Sequence, residues 1–287
     1  MIRLAVLSDI HGILPALQAV LADAFQYGVE GYILAGDYTA GPFQDECIRI
    51  QRALRGWAIH GNGELNLRKF DLGQAPPDWS DRLQFALLRH SYDHLDRDTL
   101  GYLAALPEQI VVQVDGLAPI RVVHGSPRSP YEEIFTTGDT RPLESALAET
   151  HEQVLVCGHT HIPWLAERTD KMAFNPGSVG GPLNGFVGAQ YALLSWDGAR
   201  WQVEHRAVRY DIELVRRAFL ETGLIYEGGA LARAFLLSIE TGRNVPRAFL
   251  EHAYRLSAQA GSPQVSAVPD EIWERADAMF DWEGTHI

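Results

Sequence analysis

The chain begins with short apolar runs that alternate with amphipathic segments. Ile2–Leu7 is apolar at odd and even positions alike, which predicts a strand covered on both faces. Between Gly12 and Gly28 the apolar residues recur at helical spacing, and Tyr32–Ala35 again has the composition of a buried strand. Strand, helix and strand in this order predict a right-handed crossover and a parallel pair of strands.

The pattern changes its period twice in the middle of the chain. A helix over residues 45–55 and a strand over residues 57–60 extend the first sheet, and leucines at helical spacing predict helices over residues 80–106. From residue 109 onwards, short β-rich runs predominate. The strands predicted there are Ile110–Val114, Ile120–Val123, Val154–Cys157, Trp164–Arg168, Met172–Phe174, Tyr191–Ser195 and Trp201–Arg206. This order of elements favours an α/β protein in which two sheets pack together between helices.

Beyond Val208 the pattern is helical again. The predicted helices are Asp211–Thr222, Ala230–Thr241, Pro246–Gln259 and Pro269–Trp282. We therefore divide the chain into a domain of residues 1–208 and a helical C-terminal extension of residues 209–287, which packs on the domain or forms a cap or an interface. Several apolar side chains of the extension are interpreted as packing residues rather than substrate contacts: Phe219, Leu231, Phe235, Leu236, Phe249, Leu250 and Tyr254.

Composition and charge narrow the classes of function. The chain has 287 residues, with 24 Lys and Arg against 37 Asp and Glu, and its net charge of −13 argues against a stable complex with nucleic acid. Its mean hydropathy of −0.11 and the lack of a long apolar run argue against a membrane segment. Cys47 and Cys157 are too few for a disulfide framework, and no targeting signal is evident, so we expect reduced thiols and a cytoplasmic location.

Polar residues follow the predicted strands at the point where each strand ends, usually beside glycine. Ligands bind at the carboxyl ends of strands in open α/β sheets, so we expect these polar residues to form one site. In chain order they are Asp9, His11, Asp37, Asn62, His124, His159 and His161.

This set of side chains is typical of a metal centre. Asp9 and His11 are two residues apart, as are His159 and His161, and in an extended backbone both side chains of each pair would face the same way. Each residue alone would be expected to cap a helix, form a turn or make a structural hydrogen bond. Together they favour a metal site, because burying so many polar groups without ions would be costly. Carboxylates, a carboxamide and imidazoles suit Mn, Fe, Ni, Co or Zn better than Mg or Ca.

The order Asp-x-His, Gly-Asp, Gly-Asn, His-Gly and Gly-His-x-His resembles the calcineurin-like metallophosphoesterases, and more closely the YfcE-like bacterial and archaeal phosphodiesterases. The resemblance covers about residues 1–208, and the Asn-Pro-Gly-Ser-Val-Gly segment of residues 175–180 resembles a further block of that subgroup. It implies a four-layer αββα sandwich of two mixed sheets flanked by helices. It also implies two divalent metal ions per chain, with Mn²⁺ as the expected metal.

The resemblance also implies a role for each residue. It gives the first metal Asp9, His11 and His161 as ligands, the second metal Asn62, His124 and His159, and both metals Asp37 as their bridge. The ions would lower the pKa of a bridging water, and the hydroxide would attack phosphorus in line. Asp37, Asn62 and His124 are thus the expected catalytic residues, and the substrate is a small phosphate ester.

The sequence departs from the family pattern at Gly63. Many relatives carry His or Cys after Gly-Asn, whereas here Gly63 has no side chain and is followed by Glu64. Losing a positioned general acid can cost about 10²–10⁴-fold in rate, and His60 is one candidate to replace it, although a structural role is commoner for such a residue. We expect His60, Asn62 and Gly63 to bind substrate, and the space at Gly63 favours diesters.

Other functions stay open on the sequence alone. A phosphomonoesterase shares the motifs. A protein Ser/Thr phosphatase would be expected to carry Gly-Asp-x-x-Asp-Arg-Gly, whereas residues 36–42 read Gly-Asp-Tyr-Thr-Ala-Gly-Pro. A non-catalytic metal-binding scaffold for protein contacts would be expected to lose ligands, and all seven are present here. A nucleotide as the substrate and a homo-oligomer are also open.

Overall fold

A computed structural model describes residues 2–262 and 267–284, in which the strands form two five-stranded sheets. The strands are β1 (Arg3–Leu7), β2 (Gly31–Leu34), β3 (Gly56–Ala58), β4 (Gln109–Val112), β5 (Ile120–Val123), β6 (Val154–Val156), β7 (Trp164–Glu167), β8 (Met172–Asn175), β9 (Ala189–Trp196) and β10 (Trp201–Val208). Each strand predicted from the sequence is present, with ends that differ by a few residues.

Both sheets are mixed. The first has the order β10-β9-β1-β2-β3, in which β1, β2 and β3 run parallel and β9 and β10 are antiparallel to their neighbours. The second has the order β4-β5-β6-β8-β7, in which β5, β6 and β8 run parallel and the two edge strands are antiparallel. The carboxyl ends of all six parallel strands therefore supply the loops that build the site described below.

The two sheets pack face to face, which explains why β6 is apolar throughout and β1 is apolar after Arg3. In β1, Val6 lies in the core between the sheets, whereas its neighbour Leu7 lies in the core beneath the outer helices. In β6, Val154 and Val156 face the first sheet and Leu155 faces the opposite layer. This alternation confirms the four-layer αββα arrangement.

Helices cover the outer faces of both sheets. They are α1 (Leu14–Gln26), α2 (Gln44–Ala53), α3 (Asn62–Asp71), α4 (Asp78–Asp81), α5 (Ala86–Asp93), α6 (Arg97–Ala105), α7 (Arg141–Glu149), α8 (Ile212–Glu221), α9 (Leu224–Glu227), α10 (Gly229–Thr241), α11 (Val245–Gln259) and α12 (Asp270–Met279), with a 3-10 helix at Leu83–Phe85. The sequence pattern did not predict α3, α7 or α9. None of the helices in the described part of the chain is both long and apolar enough to cross a membrane.

The C-terminal extension shares a core with the domain and has a core of its own. Val215 and Phe219 of α8 and Phe235 of α10 lie in the cluster that also buries α1 and the outer face of the first sheet. A separate cluster surrounds Phe249, whose ring lies 5.0 Å from that of Trp273. Because α10 contributes side chains to both clusters, it links the core of the extension to the core of the domain.

We expect Phe249→Ala to lower the free energy of unfolding by about 3–5 kcal/mol, because it leaves a cavity where a fully buried aromatic ring was packed. Phe25→Ala is the matched control: Phe25 is 77% exposed, and its loss should change the stability by less than about 0.5 kcal/mol. Urea unfolding of the full chain measures both. Equal effects of the two substitutions would contradict the packing described for the extension.

Candidate metal centre

The structure brings the predicted ligands together where the two sheets meet. The ligand atoms of Asp9, His11 and His161 all lie within 4.8 Å of one another, as do those of Asp9, Asp37 and His124. Asp9 belongs to both groups. The family resemblance implied Asp9 as a ligand of one metal, so the structure adds its proximity to the second group.

In the first group the side chains converge on one point. His161 Nε2 lies 3.2 Å from Asp9 Oδ1 and 3.1 Å from His11 Nε2. His11 Nε2 lies 3.8 Å from Asp9 Oδ1 and 3.9 Å from Asp37 Oδ2. Asp37 therefore stands within reach of the first group as well as the second.

In the second group His124 is the central residue. Its Nε2 lies 3.0 Å from Asn62 Oδ1 and 3.5 Å from Asp37 Oδ2. The ring of His159 stands 5.3 Å from that of His124, and His159 lines the same cavity as Asp37 and Asn62. The seven predicted residues thus form one continuous set.

The imidazoles are oriented by backbone carbonyls. His11 Nδ1 donates to Thr39 O at 3.1 Å, His124 Nδ1 to Ala35 O at 2.7 Å and His161 Nδ1 to Gly181 O at 2.7 Å. A carbonyl only accepts, so each of these contacts places the proton on Nδ1. In the neutral ring the lone pair is then on Nε2, which faces the carboxylates, as in metal-binding histidines.

Asp9 provides a test of whether a cation suits this site. Its Oδ1 is fully buried and has no hydrogen-bond partner among the described residues, although the Nε2 atoms around it lie at 3.2–3.9 Å. A buried carboxylate oxygen without a partner is costly. A divalent cation between Oδ1 and the imidazoles would satisfy all of these atoms, so the residues present fit the metals that the family implies.

The backbone at the site differs from the expected extended conformation. Asp9, His11, Asp37, His159 and His161 all have positive φ values, between 50° and 67°. Left-handed backbone costs about 1–3 kcal/mol at such residues and persists only where the surroundings enforce it. The side chains of each two-residue pair therefore converge because the loops turn sharply after the strands, and our expectation of extended pairs was wrong.

Charges in the site are strongly coupled. Burial alone would raise the pKa of Asp9, but attraction to His161 and His124 together outweighs burial and lowers that pKa to about 2. For His124 burial would lower the pKa, but Asp37 and Asp9 together outweigh burial and raise it to about 10. Burial lowers the pKa of His159. Without metal, then, a proton on His124 offsets the charge of the carboxylates, and a cation binding there must displace it.

Glu64 joins two of the ligand loops. Its carboxylate accepts backbone N–H groups from Asp37 at 2.9 Å, Tyr38 at 2.8 Å and Gly61 at 2.8 Å. Glu64 is in the first turn of α3, where such a contact to the residue before the helix stabilises its start. Burial and then repulsion from Asp37 raise the pKa of Glu64 to about 7. Glu64 is therefore a positioning residue, which holds the loop of Asp37 against the start of α3.

The segment of residues 175–180 braces the opposite side of the site. Asn175 Nδ2 donates to Gly158 O at 2.5 Å, next to His159. Ser178 Oγ and the N–H of Gly180 both donate to Asp9 O at 2.9 Å. These buried contacts hold the Gly-His-x-His loop against the loop of Asp9.

His60 and Gly63 differ in their positions. His60 is buried, its Nδ1 donates to Gly61 O at 3.1 Å, and it lines neither of the two cavities beside the ligands. Gly63 donates its N–H to Asp37 Oδ1 at 2.8 Å and lines the second cavity. The structure thus places Gly63 at the site and gives His60 a local structural contact.

Two cavities open from the ligand set. The first, of about 490 Å³, has His11, Asp37, Asn62, His159 and His161 on its floor. The second, of about 430 Å³, contains Asn62, Gly63, Trp79 and Phe85. Asn62 lies on the boundary between them.

The C-terminal extension supplies part of the cavity wall. Leu231 and Leu250 line both cavities, and Phe235 lines the first. Our sequence interpretation assigned these residues to packing alone, as it did Phe219 and Phe249, which do lie in the core. Periodicity identifies the apolar face of a helix but not whether that face borders a core or a cavity.

Residues 2–199 match the family model of the calcineurin-like phosphoesterase superfamily domain. The chain belongs to this superfamily. It is 27% identical to the phosphodiesterase YfcE of Escherichia coli over 204 residues, covering 69% of this chain and 89% of that protein. It is 26% identical to an uncharacterised protein of Methanocaldococcus jannaschii over 238 residues, covering 73% and 88%.

A solved structure supports the same assignment. The metallophosphoesterase of Sphaerobacter thermophilus superimposes with a TM-score of 0.68 at 25% identity, covering 84% of this chain and 99% of that one. The fold, the candidate ligand groups and these relatives identify the chain as a metal-dependent phosphoester hydrolase of the calcineurin-like superfamily.

Removing Asp37 should destroy the metal centre. Asp37→Ala leaves the two ligand groups without the carboxylate that both can reach, so we expect at most one divalent cation per chain by elemental analysis and hydrolysis lowered by about 10³-fold or more. Asp37→Asn keeps the shape and removes the charge, so it should weaken at least one cation. Two metals per chain and normal turnover in Asp37→Ala would contradict the assigned role of Asp37.

Glu64→Gln should loosen the site without touching a ligand. An amide offers one acceptor oxygen and opposes the remaining N–H donors with its own NH₂, so we expect a loss of about 1–3 kcal/mol of unfolding free energy at pH 8 and weaker metal retention. Glu46→Gln, at a surface position on α2, is the control and should cost less than about 0.5 kcal/mol. Unchanged stability and metal content of Glu64→Gln would argue against its positioning role.

Proposed function

We propose that this protein is a phosphodiesterase that binds two divalent metal ions, with Mn²⁺ as the expected metal, and hydrolyses one ester bond of a small phosphodiester. The observation that carries this proposal is the position of the two ligand groups, which share Asp9 and lie beside a cavity lined by His11, Asp37 and His161. YfcE, a relative at 27% identity, is named a phosphodiesterase, which supports the same reaction class.

The ligand residues would divide between the two ions. Asp9, His11 and His161 would hold the first, and Asn62, His124 and His159 the second, with Asp37 between them. Bound cations supply Lewis acidity to the phosphate oxygens and lower the pKa of an attacking water.

The chain's own residues fix the geometry and the charge of this centre. Ala35, Thr39 and Gly181 hold three imidazoles in one tautomer through their carbonyls. The carboxamide of Asn62, at the start of α3, faces the boundary between the cavities, where it would donate to a non-bridging oxygen of the substrate. Groups held in place before the reaction need no rearrangement when charge develops, which is how such sites lower the barrier.

The two cavities favour a diester over a monoester. A phosphodiester has two alcohol arms, and Asn62 lines both of the cavities that would receive them. Gly63 keeps the second cavity open beside the phosphate. A β-carbon at this position would lie 3.1 Å from Asp37 Oδ1, so a larger residue would crowd the carboxylate that would bridge the two ions.

Neither His60 nor position 63, the two places where the sequence suggested looking among the described residues, offers a free proton to the departing oxygen. Position 63 has no side chain, and the Nδ1 proton of His60 is used by Gly61 O. Aryl alcohols leave readily without a proton, whereas alkyl alcohols need one. We therefore propose that the leaving group is stabilised by the metals or water.

Kinetics with the Mn²⁺-loaded protein test the proposal. We expect bis(p-nitrophenyl) phosphate to be cleaved with a kcat/KM at least about tenfold above that of p-nitrophenyl phosphate, since its second ring fills the second cavity. Dialkyl phosphates should be cleaved far more slowly than aryl esters. The metal-stripped protein and Asp37→Ala are the controls. Faster cleavage of the monoester would indicate a phosphomonoesterase, and no cleavage of either ester would overturn the proposed function.

A further inference from the structure

The walls of both cavities are mainly apolar away from the ligand set, although uncharged polar side chains such as Asn66 and Gln84 also line the second cavity. Leu87, Leu231 and Leu250 line both of them, and Phe135 and Ile162 border the first. These side chains come from α5, from the loops after β5 and β6, and from the C-terminal extension. An alcohol arm extending from a phosphate at the metal centre would lie against hydrocarbon.

Free positive charge is missing from these walls. Among the described residues that line the first cavity, the charged ones outside the ligand set are Glu133 and Arg247, and the described lining of the second cavity contains none. Arg247 Nη2 donates to both carboxylate oxygens of Glu133, at 2.6 and 2.8 Å. Both side chains are about half exposed, which places the pair at the cavity mouth. The charge of Arg247 is therefore already compensated.

This distribution of charge discriminates between classes of substrate. A second phosphate or a carboxylate on an alcohol arm would have to leave water without gaining a cation, which is costly. An apolar arm gains by burial, at about fourfold in affinity for each methylene taken from water. The walls therefore select against anionic arms and for apolar ones.

We propose that the substrate is a phosphodiester with at least one uncharged, apolar alcohol arm, alkyl or aryl, and that the C-terminal extension selects it through Leu231 and Leu250. The inference rests on the proposed phosphodiesterase function and narrows it to a substrate class. It disfavours nucleoside polyphosphates and dinucleotides, whose further phosphates would find no uncompensated cationic side chain among the described residues that line either cavity.

A series of p-nitrophenyl diesters that differ only in the second arm tests the selection. The arms are methyl, n-butyl and 4-carboxybutyl, so the leaving group stays constant. For the Mn²⁺-loaded protein we expect kcat/KM to rise at least about tenfold from methyl to butyl and to fall at least about tenfold from butyl to carboxybutyl. If methyl and butyl esters are cleaved at rates within twofold of each other, the proposed phosphodiesterase stands and the inference about the arm fails.

Two leucines on one helix provide a matched pair of variants. Leu231 and Leu237 are both on α10, both partly buried and both packed against the same cluster, but only Leu231 lines the cavities. Leu231→Asn should lower the butyl-to-methyl ratio of kcat/KM at least about threefold, whereas Leu237→Asn should leave this ratio unchanged. Equal effects of the two substitutions would show that the extension acts only through stability and would overturn its selective role.

Glu133→Gln should raise the activity toward the ester with an anionic arm. It removes the partner charge of Arg247, so the carboxybutyl ester should improve at least about threefold relative to the butyl ester. An unchanged ratio would contradict the argument that Glu133 is what prevents Arg247 from binding an anionic arm.

Binding of methyl-, butyl- and octylphosphonate, measured by calorimetry on the Mn²⁺-loaded protein, gives a readout that does not depend on turnover. These probes contain no ester bond. We expect the affinity to rise with chain length and Leu231→Asn to flatten this increase. If no ester is cleaved but the increase is present, the proposed function fails and the apolar selection stands. Equal affinities for all three phosphonates would overturn the inference.

Discussion

Two carboxylates, Asp9 and Asp37, are buried where the sheets meet, and the need to neutralise their charge determines how the rest of the site is built. Imidazoles from the loops of both sheets face the carboxylates, and backbone carbonyls fix three of these rings. The ligand loops adopt left-handed backbone to bring the side chains together, and the fold bears that strain. In the metal-free protein a proton on His124 partly balances the carboxylates, in the position where cations would otherwise do so.

The strands and the candidate ligands could both be predicted from the sequence because each buried strand is a continuous apolar run that ends at polar residues. β1 and β6 are buried on both faces, so their apolar runs are continuous, and the first polar residue marks the end of the strand. Asp9 and the later polar residues therefore stood out at the carboxyl ends of strands. Their backbone conformation could not be predicted in this way, because it depends on contacts with distant residues, such as the hydrogen bond from Asp9 N to Gly36 O.

The start of α3, the Glu133–Arg247 pair and the cavity wall could not be predicted, because they depend on contacts between residues that are distant in the sequence. Asn62 lies between glycines and resembles a turn residue, yet α3 begins there, with Glu64 accepting the N–H of Gly61 before the helix and that of Asp37 from a different loop. Glu133 and Arg247 are 114 residues apart, and nothing in their surroundings in the sequence indicates that they meet. Leu231 and Leu250 have the spacing of core residues, which conceals their place on a cavity wall.

The division of labour between the domain and its extension has a consequence for how this protein can change. Every candidate ligand lies in the region matched by the superfamily, residues 2–199, whereas Leu231, Leu250 and Arg247 lie beyond it. A substitution in α10 or α11 can reshape the wall while leaving each ligand and its backbone in place. Natural variation in the extension can therefore alter which molecules are accepted without repeated loss of the chemistry, so the two properties can evolve separately.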